Sequence, residues 1–175
     1  MPSYRDYLEY AEHLFSRIAG DGMGRLGDAY TLGSLLCAWG AIEFFVNGMM
    51  EDYASIPQGI FTLHEQGFLE EKQVIFSPKG QFAGEFVFSG KREYRKLEDK
   101  ITFLLKKFGK IKETNRGSGL WQKFEKMKEK RDAIVHPRRN SRVSLLPSDA
   151  EAAIAIAKEV IELLALEIWR KKIAW

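Results

Sequence analysis

A long apolar stretch near the N-terminus constrains the fold of this chain more than any other feature. From Leu32 to Met50, apolar residues recur every three or four positions, which is the spacing of one face of an α-helix. Asp28 suits an N-cap, so we expect a helix that begins near Asp28 and runs to about Tyr53. Phe44 and Phe45 widen the apolar face, which predicts a helix that is buried on two sides.

The same stretch is long enough to cross a bilayer, so a membrane span competes with a core helix. Glu43 lies near its middle, and a carboxylate there costs about 2.5–3.5 kcal/mol on membrane-insertion scales. No basic cluster flanks the stretch, and Met1 to Glu12 lacks the apolar region of a signal peptide. The lone cysteine, Cys37, excludes an intrachain disulfide. We therefore expect a core helix in a cytoplasmic protein.

Helical spacing of apolar residues recurs along most of the chain and predicts an all-α fold. Residues 73–90 break this pattern with a turn and several Phe and Gly residues, which predicts an irregular or hairpin insertion. At 175 residues, 45% of them hydrophobic, the chain suits one domain over residues 1–175. We expect a helical bundle of four to five helices. Besides the first apolar helix, helical segments are predicted at residues 4–18, 59–72 (short), 91–108, 120–135 and 149–172.

The charges are distributed unevenly along the sequence. Residues 1–90 contain 5 Lys or Arg and 12 Asp or Glu, residues 91–142 contain 18 and 7, and residues 143–175 contain 4 and 5. The central segment therefore carries a net charge of +11, although the whole chain carries only +3. Such a segment is either a solvated helix face or the binding surface for a polyanion, of which RNA and DNA are the commonest.

An arginine interrupts the apolar stripe of the helix predicted over residues 120–135. Leu120, Phe124 and Met127 define the stripe, and Arg131 lies only about 20° from its line on a regular helix. A guanidinium left without a partner at such a position is costly. We therefore expect Arg131 to be paired or to open into a cleft.

His136 follows five residues later, directly before Pro137. Because proline disfavours helical geometry in the preceding residue, the helix should end at about His136. Within a regular helix the side chains of Arg131 and His136 would point about 140° apart. Release from the helix at Pro137 lets the imidazole turn towards the arginine.

Glu43 is a second charged residue in an apolar stripe, between Trp39 and Val46 on the first apolar helix. A buried carboxylate and a buried guanidinium in one small bundle are natural partners. We hypothesise that Glu43 pairs with Arg131 and orients its guanidinium.

The segment Arg131–His136, with the sequence RDAIVH, resembles the R-x4-6-H signature of HEPN domains, in which Asn or Asp often follows the arginine. The predicted helix order also fits that family, with a long helix before the motif and an apolar helix after it. The motif is specific over about twenty residues, whereas the likeness of helix order spans most of the chain. The 73–90 insertion matches no part of the family pattern.

The resemblance implies a metal-independent endoribonuclease without a cofactor, in which the RNA 2′-hydroxyl attacks the adjacent phosphate. His136 suits proton transfer, and Arg131 suits the charge that develops on phosphorus. Asp132 either polarises the site or pairs locally, and Glu43 completes the predicted catalytic set. Three further arginines either bind RNA phosphates or belong to an exposed charged loop. They are Arg138, Arg139 and Arg142.

The resemblance also implies a homodimer that sets two motifs in one cleft, a role as a toxin or in defence, and a possible cognate antitoxin. No metal site is expected, because His13, His64 and the scattered carboxylates lack ligand spacing. One alternative is a non-catalytic HEPN domain that binds RNA, a nucleotide or a protein partner. Another is a helical DNA-binding or scaffold protein, against which the lack of a helix-turn-helix pattern counts.

Overall fold

A computed structural model describes residues 2–21, 24–57, 59–110, 117–137 and 144–175. Within these ranges the protein is mostly helical, with six α-helices, a C-terminal π-helical turn and one antiparallel hairpin. The mostly helical character predicted from the sequence is confirmed, and of the irregular or hairpin segment predicted over residues 73–90 the hairpin is the form observed. The elements are α1 (Tyr4–Asp21), α2 (Arg25–Ala54), α3 (Leu63–Leu69), β1 (Lys72–Ser77), β2 (Glu85–Arg92), α4 (Leu97–Phe108), α5 (Gly119–Val135), α6 (Pro147–Leu164) and the π-helical turn Ala165–Trp169.

The chain forms two compact units. The first unit comprises Met1–Phe45 and Leu105–Trp175, and the second unit comprises Val46–Leu104. Thus α1, α5 and α6 belong to the first unit, whereas α3 and the hairpin belong to the second. A single domain over the whole chain stays a prediction.

Small side chains allow close helix packing in the first unit. The hydroxyl of Ser34 donates a 2.8 Å hydrogen bond to the carbonyl of Ala11, which ties α2 to α1 with both residues fully buried. Helix α6 contacts both α1 and α5 and turns buried alanines inward. The packing of α6 against α5 holds α5, which carries the residues of the predicted motif, in place. Core residues of the first unit include Leu8, Leu35, Ala38, Trp39, Ile42, Phe124, Met127, Ala150, Ala153 and Ala157.

Helix α2 is the one helix within the described ranges that is long and apolar enough to cross a membrane. Half of its most apolar stretch is buried inside the protein, and Ile42 and Val46 are fully buried. A core helix of a soluble protein passes the same test of length and composition. The burial therefore favours the core-helix interpretation made from the sequence.

Helix α4 starts later than its apolar pattern predicts, at Leu97 and not at residue 91. The cause is the hairpin, because β2 continues to Arg92 and the backbone N–H of Glu93 donates a 2.7 Å hydrogen bond to the carbonyl of Glu71. Strand pairing and this bond hold the chain extended before α4 can begin.

The last helix is also shorter than predicted, because α6 gives way after Leu164 to the π-helical turn. Arg170 then adopts a left-handed conformation, with φ of 58°. The last helical residue is therefore Trp169, before the predicted end at Lys172. At the other end, Pro147 occupies the first turn, where its missing N–H is not needed.

The hairpin packs against α3 through a glycine in the second unit. A Cβ atom added at Gly67 would lie 2.7 Å from Cγ2 of Val74 and 2.9 Å from the carbonyl oxygen of Lys72. Both distances are shorter than a carbon atom tolerates, so the absent side chain lets β1 approach α3.

We predict that Gly67→Ala destabilises the protein by about 1–3 kcal/mol, because the added methyl group forces the hairpin away from α3. Gly48→Ala is the matched control: Gly48 also lies within a helix, but nothing surrounds its Cβ position within 4 Å. Since alanine is the better helix former, the control should gain up to about 1 kcal/mol. Urea unfolding followed by circular dichroism measures the free energy of unfolding of the two variants. An equal gain in stability in Gly67→Ala and Gly48→Ala would contradict the close packing at Gly67.

Candidate functional site

Arg131 lies near the C-terminal end of α5, in line with the apolar stripe that packs into the core of the first unit. Phe124 and Met127 on this stripe are 1% and 4% exposed, whereas the Arg131 side chain is 24% exposed. Its guanidinium carbon lies 5.5 Å from the centre of the Trp39 ring, a cation–π arrangement. The prediction that Arg131 is paired is confirmed, whereas its side chain is only partly buried.

Glu43 pairs with Arg131, as the sequence predicts. Its Oε1 accepts a 3.3 Å hydrogen bond from Nη2 of Arg131 and a 2.7 Å hydrogen bond from the indole N–H of Trp39. The prediction that Glu43 is buried is wrong, because 40% of its side chain is exposed. At the edge of the stripe the carboxylate keeps part of its hydration, which avoids the cost of burying a charge.

Trp39 is the residue that sequence reasoning missed, because its position in the stripe of α2 suggested a plain core residue. It is 4% exposed and stacks on Phe124 at a centroid distance of 5.3 Å. One face of its ring therefore supports the guanidinium of Arg131, while its N–H orients Glu43. The spacing of Trp39 and Glu43, four residues apart on one helix, was the available signal.

Asp132 is the second carboxylate on Arg131, and its Oδ1 accepts a 3.0 Å hydrogen bond from Nη1. Of the two roles considered for Asp132, local pairing is the one observed. A guanidinium carries five N–H donors, so Glu43 and Asp132 leave others for an anion. The two carboxylates and the Trp39 ring restrict the orientation of the arginine without using up its hydrogen-bonding capacity.

His136 caps the C-terminus of α5. Its backbone N–H donates a 2.8 Å hydrogen bond to the carbonyl of Asp132, and its φ and ψ of −122° and 62° leave the helical region. The predicted helix end before Pro137 is confirmed. The imidazole is exposed, and among the residues with described positions no hydrogen bond joins it to Arg131, Asp132 or Glu43. Of the four predicted catalytic residues, Glu43 and Asp132 thus each contact Arg131, and His136 lies about one helical turn after Asp132.

The three predicted RNA-binding arginines, Arg138, Arg139 and Arg142, lie outside the described residues. Lysines on α5 were not singled out from the sequence, yet Lys126 and Lys130 line a groove of 180 Å³ between α5 and α6. Lys130 pairs with Asp149 at the start of α6, whereas Lys126 is exposed. This groove contributes positive charge in the first unit.

Asp149, in the first turn of α6, pairs with Lys130, which precedes Arg131 on α5. Burial raises the pKa of its carboxyl, but the hydrogen bond from the Leu146 N–H (2.9 Å) and the contact with the Lys130 ammonium outweigh burial. The net result is a pKa below the ordinary value of 3.8. The ionised carboxylate therefore stabilises the junction of α5 and α6.

A separate cavity of 490 Å³ lies within the second unit and contains none of the predicted site residues. There the ammonium of Lys100 lies 2.6 Å from Glu71 and 2.8 Å from Oδ1 of Asn47. In the part of the chain that the structure describes, no group of three or more His, Cys, Asp or Glu side chains is arranged to hold a metal ion.

Comparisons with protein-family models, with curated proteins and with solved structures found no match for this chain. The resemblance to HEPN domains therefore rests on the motif and on the order of the helices.

We predict that a double-mutant cycle of Glu43→Gln and Arg131→Gln gives a coupling energy of about 0.5–1 kcal/mol, because the partly exposed pair is also held by Trp39 and Asp132. The matched control is the more exposed pair Lys123–Glu159, whose charged atoms lie 3.5 Å apart in the same unit. The same cycle there should give a value near zero. Urea unfolding measures all variants, and equal coupling in the two pairs would contradict an organised Arg131 site.

We predict that Asp149→Asn lowers stability by about 0.5–1 kcal/mol at pH 6 and by less at pH 3. The sign follows from the lowered pKa: the carboxylate contributes above its unfolded-state pKa, and the contribution disappears as the pH falls through the folded-state pKa. Thermal or urea unfolding of both proteins across this range measures the difference. Glu151→Gln, an exposed change on α6, is the control and should have little effect. A deficit in Asp149→Asn that is independent of pH would be inconsistent with this account.

Proposed function

We propose that this chain is a metal-independent endoribonuclease of the HEPN type, folded as a helical bundle around the Arg131–His136 motif. The observation that carries the proposal is the guanidinium of Arg131, held by two carboxylates and the Trp39 ring one turn before an exposed histidine. The long apolar α2 before the motif and the apolar α6 after it support the same assignment. In this interpretation the hairpin is an addition to the family fold.

Arg131 acts on the phosphate of the substrate. Glu43 and Asp132 fix the plane of its guanidinium before the substrate arrives, so little reorganisation is needed when charge develops on phosphorus. Its remaining N–H groups bind the phosphate oxygens, in the planar geometry that arginine offers to such groups. Glu43 and Trp39 are positioning residues in this scheme, since they act through Arg131.

His136 transfers the protons. It removes the proton from the RNA 2′-hydroxyl, the 2′-oxygen forms a bond to phosphorus, and the bond from phosphorus to the 5′-oxygen breaks. The products are a cyclic phosphate and a 5′-hydroxyl, whose oxygen takes up a proton. A second acid must supply that proton, and the His136 of a second copy provides it in a homodimer. The exposure of the imidazole at the end of α5 is compatible with access by RNA and by a second chain.

The surface of α2 next to the site offers a place for that second copy. Phe44 directly follows Glu43 and is 41% exposed. Apolar side chains of this size are unfavourable in water and favour an interface. We place the dimer in the cytoplasm as a toxin or defence ribonuclease, with a cognate antitoxin as the partner expected of a toxin.

One observation favours the alternative, a non-catalytic HEPN domain that binds RNA, a nucleotide or a protein partner. The charge of Arg131 is already matched by Glu43 and Asp132. Among the residues that the structure describes, no hydrogen bond joins the His136 imidazole to these three side chains. Such an arrangement serves a binding or structural pair as well as a catalytic one.

We predict that the purified protein cleaves single-stranded RNA in the presence of EDTA, and that His136→Ala lowers the rate about 10²–10⁴-fold through loss of proton transfer. His13→Ala is the control, because His13 is also exposed but lies on α1. Gel analysis of a labelled RNA over a range of pH values measures the rates.

RNA that stays intact at every protein ratio and pH would rule out the catalytic proposal. If the intact RNA nevertheless binds equally well to the wild type and His136→Ala, the non-catalytic alternative is supported.

A further inference from the structure

The hairpin carries three aromatic side chains that remain about half exposed. Phe76 and Phe86 face each other across β1 and β2, with ring centroids 5.6 Å apart, and each is 53% exposed. Phe82 in the connecting turn is 51% exposed. We refer to these three residues as the aromatic tip. So much exposed ring surface in one place marks an interaction site more often than a neutral surface.

The base of the same hairpin is anchored, which gives the aromatic tip a fixed support. Val74 and Phe88 are paired in register and lie against Gly67 of α3. The ring of Phe86 also meets His64 of α3 edge to face, at a centroid distance of 5.2 Å. The rings of Phe76 and Phe86 are therefore preorganised, so a ligand that stacks on them meets rings already in place.

Positive charge is present at both ends of the hairpin: Lys79 lies in the turn with Phe82, whereas Lys91 and Arg92 lie at the opposite end of β2. Residues 72–92 contain four Lys or Arg and one acidic residue. Residues 1–71, in contrast, contain three Lys or Arg and eleven acidic residues. Lys79, Lys91 and Arg92 are exposed. Lys79 and Lys91 form no ion pair with any residue whose position is described, whereas the charge of Arg92 helps to lower the pKa of Glu71. The basic hairpin thus stands out from an otherwise acidic part of the sequence, which favours an anionic partner.

We propose that the hairpin binds single-stranded nucleic acid that runs along its length, with bases stacked on the aromatic tip and phosphates paired with Lys79 in the turn and Lys91 near the end of β2. Aromatic rings beside a basic strip are the combination that recognises unpaired nucleotides, because every base offers a flat face and every linkage a charge. This surface is separate from the Arg131 residues, and its binding does not depend on the proposed cleavage.

Two other occupants fit the hairpin less well. A duplex hides the faces of its bases, so the aromatic tip would have nothing to stack on. A second copy would bring an identical basic hairpin with a net charge of +3, and two such hairpins in contact repel each other.

The test uses fluorescence anisotropy with labelled single strands of about 16 nucleotides. One probe is 2′-O-methyl oligouridine and the other is oligothymidine, and neither has the free 2′-hydroxyl that cleavage requires. A duplex of the same length is the third probe. We expect both single strands to bind more tightly than the duplex, and their relative affinities show whether the surface prefers RNA or DNA.

Two variants test the two halves of the surface. Phe82→Ala should weaken binding of the single strands about five- to tenfold, since a stacked base is lost. Lys79→Gln keeps the rings and should lower the slope of log affinity against log salt by about 0.7. Tyr10→Ala is the matched control, because Tyr10 is 55% exposed but lies on the acidic α1, and it should bind like the wild type. Circular dichroism establishes that each variant is folded.

Unchanged single-strand binding in both Phe82→Ala and Lys79→Gln would overturn the proposal. It is also overturned if the wild type elutes as a dimer, Phe82→Ala elutes as a monomer, and both bind the probes equally, because the aromatic tip would then be a contact between copies. Since the probes cannot be cleaved, these results hold whether or not the chain is a ribonuclease.

Discussion

The candidate site depends on how one guanidinium is held at the rim of the first unit. Arg131 continues the apolar stripe of α5, where a charge without partners would be costly. Glu43 from α2 and the neighbouring Asp132 supply the partners, and the Trp39 ring supports the flat side of the group. The same contacts that make the arginine tolerable at this position also fix its orientation. The same three contacts therefore stabilise the fold around Arg131 and prepare its guanidinium to bind an anion.

The sequence was sufficient to predict much of this arrangement, because charges that interrupt an apolar stripe are visible as exceptions. The departures of Glu43 and Arg131 from their stripes predicted their pairing, and Pro137 predicted the end of α5. The role of Trp39 could not be predicted in the same way, since a tryptophan fits an apolar stripe and nothing marks its N–H as a donor. The exposure of Glu43 was missed because helical spacing gives the direction of a side chain but not its depth.

The helix boundaries that were mispredicted depend on contacts between residues distant in sequence or on backbone conformation. Apolar spacing begins well before Leu97, but pairing of β2 with β1 keeps that stretch extended. The left-handed Arg170 ends the last helix without a proline or glycine to announce it. The hairpin was foreseen from its turn residues, whereas the exposure of its rings required the structure. The two units thus present different chemistry. The first holds an arginine between two carboxylates one turn before a histidine, and the second carries half-exposed rings on a hairpin with a net positive charge.

The central claim is that Arg131 and His136 serve attack by the 2′-hydroxyl, and an RNA with one modified nucleotide tests it most directly. Once a cleavage site is mapped, the nucleotide on its 5′ side is replaced with its 2′-deoxy form. The account predicts that cleavage at this position disappears, and that the unmodified RNA yields a 2′,3′-cyclic phosphate and a 5′-hydroxyl. Continued cleavage at the deoxy position, with 5′-phosphate ends, would contradict it.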